Sequence, residues 1–241
     1  MAETMDERAT VVEQMRETGE LGSPDWEELA RRGDERIEAL KRARRPRLFV
    51  ISGPSGVGKD TVIEKMRVRF PDCFFAVTAT TRAPRPNEED GIHYRFLSVD
   101  EFERGEREGA FLEAANVYAR RYGVLRGPIE DALLEGRDVV VKVDVQGAAT
   151  IRQRVRNSSS IFLSPESMAE LLHRLEVRKT EDKAGLLRRF ETAAHELEQA
   201  LFFDYVVFNE AGELEKTVNR IHEIVTVERA RVHQQPVTFT S

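Results

Sequence analysis

The pattern of apolar residues after position 46 consists of five short runs separated by amphipathic stretches. The runs are Leu48–Ile51, Phe74–Val77, Val139–Val143, Ile161–Leu163 and Tyr205–Phe208. A short run without polar alternation is typical of a strand buried on both faces of a parallel sheet. The pattern therefore predicts an α/β fold in which a five-stranded parallel sheet is covered by helices on both sides.

Two of the intervening stretches have the period of a helix. Apolar residues recur at helical spacing in the sets Met168, Leu171, Leu172, Leu175 and Leu214, Val218, Ile221, Val225. The first set follows Ser164 and Pro165, which predicts a helix capped by the serine with proline in its first turn. In a sheet of this kind ligands bind at the carboxyl ends of the strands, so the site is expected just after the runs.

The composition limits the kinds of site and of binding partner that the chain is expected to have. The 241 residues carry a formal net charge of −6, five histidines and one cysteine, Cys73. A single cysteine excludes a disulfide scaffold and leaves no cluster of zinc ligands. The acidic net charge argues against a nucleic-acid partner. No apolar run approaches the roughly 18 residues of a membrane span, so no membrane partner is expected either. A monomer that acts on small molecules is the expected state.

The chain is expected to have three parts. Residues 1–45 form a charged extension, first acidic and then basic, that is flexible or helical. Residues 46–232 form the globular domain, which begins at the helix-breaking Pro46. Residues 233–241 form a C-terminal tail.

A glycine-rich segment directly follows the first apolar run and precedes a helical stretch. Its residues are Gly53, Pro54, Ser55, Gly56, Val57, Gly58, Lys59, Asp60 and Thr61. The spacing Gly-x4-Gly-Lys between a strand and a helix is that of a P-loop, whose backbone N–H groups surround phosphates while the lysine reaches the outer ones. The segment predicts that these nine residues bind a nucleoside triphosphate together with Mg²⁺.

Asp60 occupies the position at which a P-loop usually has a serine or threonine that touches magnesium. Its carboxylate suits the positive end of the helix dipole but would repel a triphosphate if it turned inward. We expect Asp60 to face the water shell of the metal or to turn away from the phosphates, with Thr61 as the nearest hydroxyl. Asp60 and Thr61 are therefore the candidate metal ligands, acting through water.

A second anion site is indicated after the second apolar run. Arg82 and Arg85 lie in a segment held extended by Pro84 and Pro86, and Tyr94 follows. Two guanidinium groups at this spacing can clamp one phosphate, with the tyrosine hydroxyl as a further donor. The segment therefore predicts a phosphorylated acceptor.

This segment, with most of residues 47–230, resembles guanylate kinase. The family pattern Thr-Thr-Arg-x2-Arg-x2-Glu-x2-Gly-x2-Tyr-x-Phe is met by Thr80, Thr81, Arg82, Arg85, Glu88, Gly91, Tyr94 and Phe96. The resemblance implies a P-loop nucleoside monophosphate kinase that transfers a phosphoryl group from ATP to GMP or dGMP. It also implies a core at 46–77 and 134–232, an inserted GMP-binding lobe at about 78–133 and a helical lid at about 174–190.

The resemblance assigns roles residue by residue. The expected ligands of the GMP phosphate are Arg82, Arg85, Tyr94 and Tyr122. Glu113 and Thr78 are assigned to the guanine ring, and Asn209 to the adenine side. The expected catalytic residues, which neutralise charge on the migrating group, are Lys59, Arg85 and the lid arginines Arg174, Arg178 and Arg189. Glu113 has independent support, because a desolvated carboxylate that accepts two donors of guanine is left unpaired by adenine.

Three further positions qualify these assignments. Asp144 ends the third run and is expected to face the P-loop, where it orients a magnesium-bound water or a hydroxyl of GMP. Most guanylate kinases have an acid at position 142, where this chain has Lys142, so Asp144 stands alone on its strand. Val124 stands where a hydroxyl-bearing residue often contacts the guanine carbonyl, which leaves more of the selectivity to Glu113.

The departures at positions 60, 78–80, 142 and 178–180 together resemble the plant plastid and mitochondrial branch of the family. This similarity implies a chloroplast or mitochondrial location for a mature form. The alternative is cytoplasmic, because the acidic N-terminus shows no import signal. Two other functions remain open. A non-catalytic guanylate-kinase-like interaction domain would lack the P-loop glycines and lysine. A P-loop kinase of another small phosphate acceptor, such as a sugar phosphate, would lack the set around Arg82 and Glu113.

Overall fold

The computed structural model describes residues 25–86, 88–117, 120–177, 183–232 and 235–240. The chain divides into two units, residues 1–44 and 45–241. In the first unit, helix α1 (Asp25–Arg42) is exposed and carries ion pairs between residues about one turn apart, such as Lys41 with Glu38. Among the described residues, no helix is both long enough and apolar enough to cross a bilayer.

The second unit is built on a sheet of five parallel strands. In spatial order these are β10 (Tyr205–Asn209), β9 (Ser159–Pro165), β1 (Leu48–Ser52), β7 (Val139–Lys142) and β2 (Phe74–Phe75). Successive residues of β1 point to opposite faces, so Phe49 belongs to one hydrophobic cluster and Val50 to another. The predicted α/β fold with a five-stranded parallel sheet is confirmed.

Helices cover both faces of this sheet. The α-helices described in the second unit are α2 (Lys59–Arg69), α3 (Val99–Arg107), α4 (Gly127–Leu134), α5 (Val145–Arg154), α6 (Met168–Val177), α7 (Lys183–Glu198) and α8 (Leu214–Ala230). Met66 of α2 and Ile221 of α8 pack in the cluster around Phe49, whereas Ile129 of α4 and Ile151 of α5 pack on the opposite face. The helices thus fix the carboxyl edge of the sheet, where the P-loop begins.

A second, four-stranded sheet is inserted between β2 and β7. Its order is β4 (Arg95–Phe96), β3 (Thr78–Thr80), β6 (Arg120–Leu125) and β5 (Phe111–Val117). Strand β3 is parallel to β4 and antiparallel to β6, which pairs with β5. Phe102 of α3 stacks on Phe111 at 4.4 Å between ring centroids and gives the insertion a small core of its own.

Two strands differ from the apolar pattern. Strand β10 is predicted to be buried on both faces, but it lies at the sheet edge, where Val206 and Phe208 are 44% and 57% exposed. The run Phe74–Val77 is predicted as one strand, but only its first two residues join the parallel sheet. The chain then leaves for the inserted sheet, because Thr78 already pairs with β6.

The start of helix α6 and the C-terminal tail also differ from what the sequence pattern predicts. Ser164 and Pro165 end β9 rather than starting a helix, and Ser167 caps α6 by accepting from the Glu170 N–H at 3.1 Å. Part of the predicted tail pairs with the fold, since β11 (Thr238–Phe239) is antiparallel to β8 (Val155–Arg156).

A buried polar cluster fastens α8 at the amino ends of the strands, away from the P-loop. Glu228 accepts from Arg47 Nη2 at 2.8 Å, from Ser159 Oγ at 2.9 Å and from the Tyr205 hydroxyl at 2.6 Å. These bonds satisfy both oxygens of the carboxylate. A cavity of about 420 Å³ lies beside this cluster, and Arg47, Ser159, Tyr205 and Glu228 are among its lining residues.

Candidate functional site

The P-loop connects β1 to α2 at the carboxyl edge of the parallel sheet, as its spacing predicts. Gly58 begins α2 with a φ of 100°, and a Cβ at this position would lie 2.7 Å from Asn209 Nδ2, so only glycine fits. Asn209 Nδ2 donates to the Val57 carbonyl at 2.7 Å, and its Oδ1 accepts from Thr217 Oγ1 at 3.0 Å. The end of β10 therefore braces the loop.

Lys59 folds back on the P-loop. Its Nζ donates to the carbonyls of Gly53 at 2.6 Å and Pro54 at 3.1 Å. Burial lowers the pKa of Lys59 below its ordinary value, against the opposing effect of nearby carboxylates, chiefly that of Glu196. A bound phosphate would offer this ammonium a charged acceptor in place of two neutral carbonyls.

Glu196 of α7 also lies at the P-loop, although no sequence motif includes it. Its Oε2 accepts from the backbone N–H of Ser55 at 3.0 Å, within the P-loop. Arg189 of the same helix donates to Ser55 Oγ at 2.9 Å. A carboxylate on a P-loop N–H lies where an anion is expected to bind, so we expect it to compete with a phosphate for this donor. No local motif marks Glu196, which is 141 residues from Ser55.

The Glu196→Gln variant is expected to bind ATP about 3- to 10-fold more tightly, because a neutral amide competes less well than a carboxylate for the loop N–H. Calorimetric titration with a non-hydrolysable ATP analogue measures this change. Glu198→Gln is the matched control, since the Glu198 side chain on the same helix is 74% exposed. Weaker binding of the analogue by Glu196→Gln would contradict competition.

A cavity of about 510 Å³ opens beside the P-loop. Among its lining residues are Gly56, Gly58, Thr61, Arg174, Asn209 and Leu214. Arg174 of α6 donates to the carbonyls of Val57 and Asn209, both at 3.0 Å, and to Glu170 Oε1 at 2.7 Å. The guanidinium therefore lies between the loop and the wall of the cavity. Arg178, the third expected lid arginine, lies outside the described residues.

The inserted sheet brings Arg82, Tyr94 and Tyr122 together. Arg82 Cζ lies 5.2 Å from the centre of the Tyr94 ring, and the two tyrosine rings meet edge to face at 6.2 Å. Glu88 holds the Arg82 guanidinium by two bonds of 2.8 and 2.9 Å, and this pairing raises the pKa of Arg82. The Arg85 side chain is exposed, and its backbone N–H also donates to Glu88, at 2.7 Å. Three of the four expected phosphate ligands are thus neighbours.

Glu113 lies in a row of side chains that crosses three strands. Thr78 is opposite Val124, and Val124 is opposite Glu113, so the three side chains share one face of the sheet. Glu113 is 3% exposed, and its Oε2 has no hydrogen-bond partner within the described part of the chain. Burial, helped by the charge of Asp144, raises the pKa of Glu113 to about 7. Such an atom is unfavourable unless a ligand supplies a donor.

Asp144 lies between the P-loop and Glu113. It caps α5, with Oδ1 accepting from the Gly147 N–H at 2.8 Å, and its charge acts on both Lys59 and Glu113. A Cβ on Gly147 would come within 3.1 Å of the Glu113 carboxyl group, so this turn leaves space for the carboxyl only because it has glycine. This capping bond gives Asp144 a structural task in addition to the roles expected from the sequence.

Asp60 turns towards Lys142, whose Nζ donates to its Oδ1 at 2.5 Å. Thr61 is exposed and lines the cavity beside the loop. A carboxylate and a hydroxyl in one helical turn suit Mg²⁺, which proteins hold through one or two carboxylates, waters and substrate phosphates. Across the described residues, no group of three or more His, Cys, Asp or Glu side chains forms a metal cage. The donor set therefore fits Mg²⁺ that is bound together with a nucleotide.

Comparison with known proteins gives a consistent picture. A family model described as guanylate kinase matches residues 45–228. The chain is 43% identical over 203 residues to "Guanylate kinase 2, chloroplastic/mitochondrial" of Oryza sativa subsp. japonica, covering 84% of this chain and 71% of that protein. It is 43% identical over 185 residues to the guanylate kinase of Thermotoga maritima, covering 77% and 88%.

A solved structure agrees with these relatives. The guanylate kinase of Anaplasma phagocytophilum superposes with a TM-score of 0.64 at 30% identity, over 79% of this chain and 90% of that one. The resemblance deduced from the motifs is thereby confirmed. Because the family model spans the P-loop, the inserted sheet and the end of the parallel sheet, the chain belongs to the guanylate kinase family.

Proposed function

We propose that this chain phosphorylates GMP and dGMP with ATP, giving GDP or dGDP and ADP. The observation that carries the proposal is the buried carboxyl of Glu113, whose Oε2 has no partner within the described residues. Guanine offers two adjacent donors, the ring N1–H and the 2-amino group, whereas adenine offers neither on that edge. A site that depends on two such bonds can discriminate between bases by about 10⁴-fold.

The acceptor phosphate is proposed to bind among Arg82, Tyr94 and Tyr122, with Arg85 joining from its exposed position. Glu88 fixes the Arg82 guanidinium, so less side-chain entropy is lost when the phosphate binds. Thr78 lies beside Val124 in the row that contains Glu113 and adds a hydroxyl at the base. The acceptor is thus bound at its phosphate and its base by different strands of one sheet.

The proposed reaction is a direct in-line transfer. A phosphate oxygen of GMP attacks the γ-phosphorus of ATP, and the bond from that phosphorus to the β–γ bridging oxygen breaks, which releases ADP. The acceptor phosphate is already largely ionised at neutral pH, with a pKa of about 6, so no general base is needed. Catalysis then depends on alignment and on charge neutralisation by Lys59, Arg174 and Arg189, with Arg178 as a further expected cation.

ATP is proposed to occupy the P-loop and the adjacent cavity, with its adenine on the side of Asn209. The loop N–H groups and the start of α2 would hold the phosphates. Asp60 and Thr61 would hold Mg²⁺ through water, and the ion supplies neutralisation of the β- and γ-phosphate charge when bound. Asp144, between the loop and Glu113, is proposed to orient a hydroxyl of GMP or a water of the metal.

GMP affinity is expected to rise with pH between about 6 and 8, because Glu113, with a pKa of about 7, must be ionised to accept both guanine donors. Below that pKa, each pH unit is expected to weaken binding by up to about 10-fold. The GMP phosphate titrates in the same range in wild type and in Glu113→Gln, so the difference between their titrations isolates the carboxyl. An identical pH profile in both proteins would contradict the ionisation of Glu113 on binding.

The function is tested by an ADP-release assay with a panel of acceptors: GMP, dGMP, AMP, UMP and ribose bisphosphate. We expect turnover with the two guanine nucleotides and little with the rest. Preference for the sugar phosphate would favour the alternative P-loop kinase. Absence of turnover with every acceptor, together with GMP binding, would favour a non-catalytic interaction domain.

We also propose an organellar location and a monomeric state. The location is supported by the similarity to the rice protein named as chloroplastic/mitochondrial. Fluorescent fusions of the full chain in plant cells test it, and a purely cytoplasmic signal would favour the alternative. Sedimentation at several protein concentrations tests the monomer, with a single species near 27.5 kDa as the expected result.

A further inference from the structure

The two charged residues that depart from the family pattern near the P-loop are in contact. Lys142 ends β7, next to the end of β1, and its Nζ donates to Asp60 Oδ1 at 2.5 Å. The Lys142 side chain is 21% exposed and that of Asp60 is 60% exposed. The mostly buried ammonium is thus paired with a carboxylate that faces solvent beside the triphosphate site.

Lys142 also reaches the acceptor side. Its Nζ lies 5.2 Å from the centre of the Tyr94 ring. Tyr94 in turn contacts Arg82 and Tyr122, the other members of the expected phosphate site. One ammonium group therefore connects the first turn of α2 with the residues that are expected to hold the acceptor phosphate.

We propose that Lys142 is a positioning residue with two tasks: it neutralises Asp60 beside the triphosphate, and it holds Tyr94 in place for the acceptor phosphate. This inference rests on the proposed function. The first task follows from charge, because without the ammonium of Lys142 the negative charge of Asp60, one residue after Lys59, would repel ATP more strongly. The second follows from the packing of a cation against an aromatic ring in a partly buried place.

The two tasks predict different responses to one further substitution. Lys142→Met is expected to weaken ATP and GMP binding, each by about 10-fold, which is within the usual coupling of charged groups in contact. Adding Asp60→Asn removes the repelling carboxylate, so in titrations without Mg²⁺, where the metal-holding role of Asp60 plays no part, the double variant should recover ATP affinity to within about 2-fold of wild type. GMP affinity should stay low in the double variant, because Tyr94 still lacks its cation.

The measurement is calorimetric titration of the nucleotide-free protein with GMP alone and with a non-hydrolysable ATP analogue alone, so catalysis is not involved. Lys65→Met is the matched control, since Lys65 lies on the same helix as Asp60, α2, and forms an ion pair at the surface with Glu215 of α8. Its removal should leave both affinities unchanged. Melting temperatures recorded for every variant show whether a weaker affinity results from a destabilised fold or from misplaced binding residues.

Two results would overturn the proposal. One is unchanged GMP affinity in Lys142→Met. The other is that ATP and GMP affinity fall equally, that Asp60→Asn does not restore ATP affinity, and that both variants have a lowered melting temperature. Lys142 would then have a structural role only. If Lys142→Met does not fold, Lys142→Arg decides instead: the retained charge should preserve ATP affinity, whereas the larger planar group should displace Tyr94 and weaken GMP. Equal effects on the two ligands would then contradict the inference.

The wild-type titrations separate this inference from the proposed function. A wild-type chain that does not bind GMP would overturn the proposed function itself. A wild-type chain that binds GMP normally, with a Lys142→Met variant that binds it equally well, would overturn only the role of Lys142.

Discussion

Replacement of Lys59 by methionine is expected to lower the rate of GDP formation by about 10²- to 10³-fold, the usual loss when one preorganised group that stabilises transition-state charge is removed. The reason is its position: Nζ lies on the Gly53 and Pro54 carbonyls, within reach of the loop where the outer phosphates would bind. Because burial already opposes the charge of Lys59, the fold should tolerate methionine without loss of melting temperature.

The measurement is single-turnover formation of GDP at saturating ATP, which isolates the chemical step from nucleotide binding. Lys65→Met again provides a surface control on the same helix. A Lys59→Met variant with unchanged turnover but weaker ATP binding would show that the lysine contributes to the ground state only.

Replacement of Glu113 by glutamine is expected to lower kcat/KM for GMP by about 10²- to 10⁴-fold while ATP binding stays unchanged. The amide presents one acceptor and one donor to the guanine edge, so one of the two bonds becomes a clash between donors. Titration with GMP and with an ATP analogue measures the two effects separately. Glu108→Gln, an exposed carboxylate of the inserted region, is the control. Equal loss of both affinities would instead assign Glu113 to the scaffold.

The same substitution has a second, opposite effect on stability. The pKa of the Glu113 carboxyl is about 7 in the folded protein and near 4.5 in the unfolded chain. The folded protein therefore becomes less stable as the pH rises from about 4.5 to about 7. Glu113→Gln is therefore expected to unfold less readily than wild type at pH 8, by at most about 3 kcal/mol, and to differ little at pH 4. Urea denaturation at both pH values checks the sign. A less stable variant at pH 8 would contradict the burial of an unpaired charge.

The elements that the sequence predicts well are those set by local pattern. Apolar runs locate the parallel strands, and the spacing of the P-loop locates the bend between β1 and α2. The inserted sheet is less visible, because strands such as β6 (Arg120–Leu125) are half polar and pair far along the chain. The exposure of Phe208 was not predictable either, since an edge strand and a central strand can have the same apolar run.

The expected site residues that lie close together in the structure are those that belong to a sequence motif. Arg82 and Glu113 were expected from the family pattern, and the structure adds their environments: the pairing with Glu88 and the burial beside Val124. Glu196 could not be found, because a lone glutamate on a helix has no local signature. The contact of Lys142 with Asp60 had one usable signal: Lys142 ends the strand next to β1, and Asp60, of opposite charge, lies in the first turn of the helix that follows β1.

The row formed by Thr78, Val124 and Glu113 ties the choice of base to strand register. A shift of any one of these three strands by a single residue would turn that strand's member of the row to the opposite surface of the sheet. A new base preference is therefore reached by exchanging amino acids within the row, and lengthening or shortening a neighbouring loop would abolish recognition instead of redirecting it.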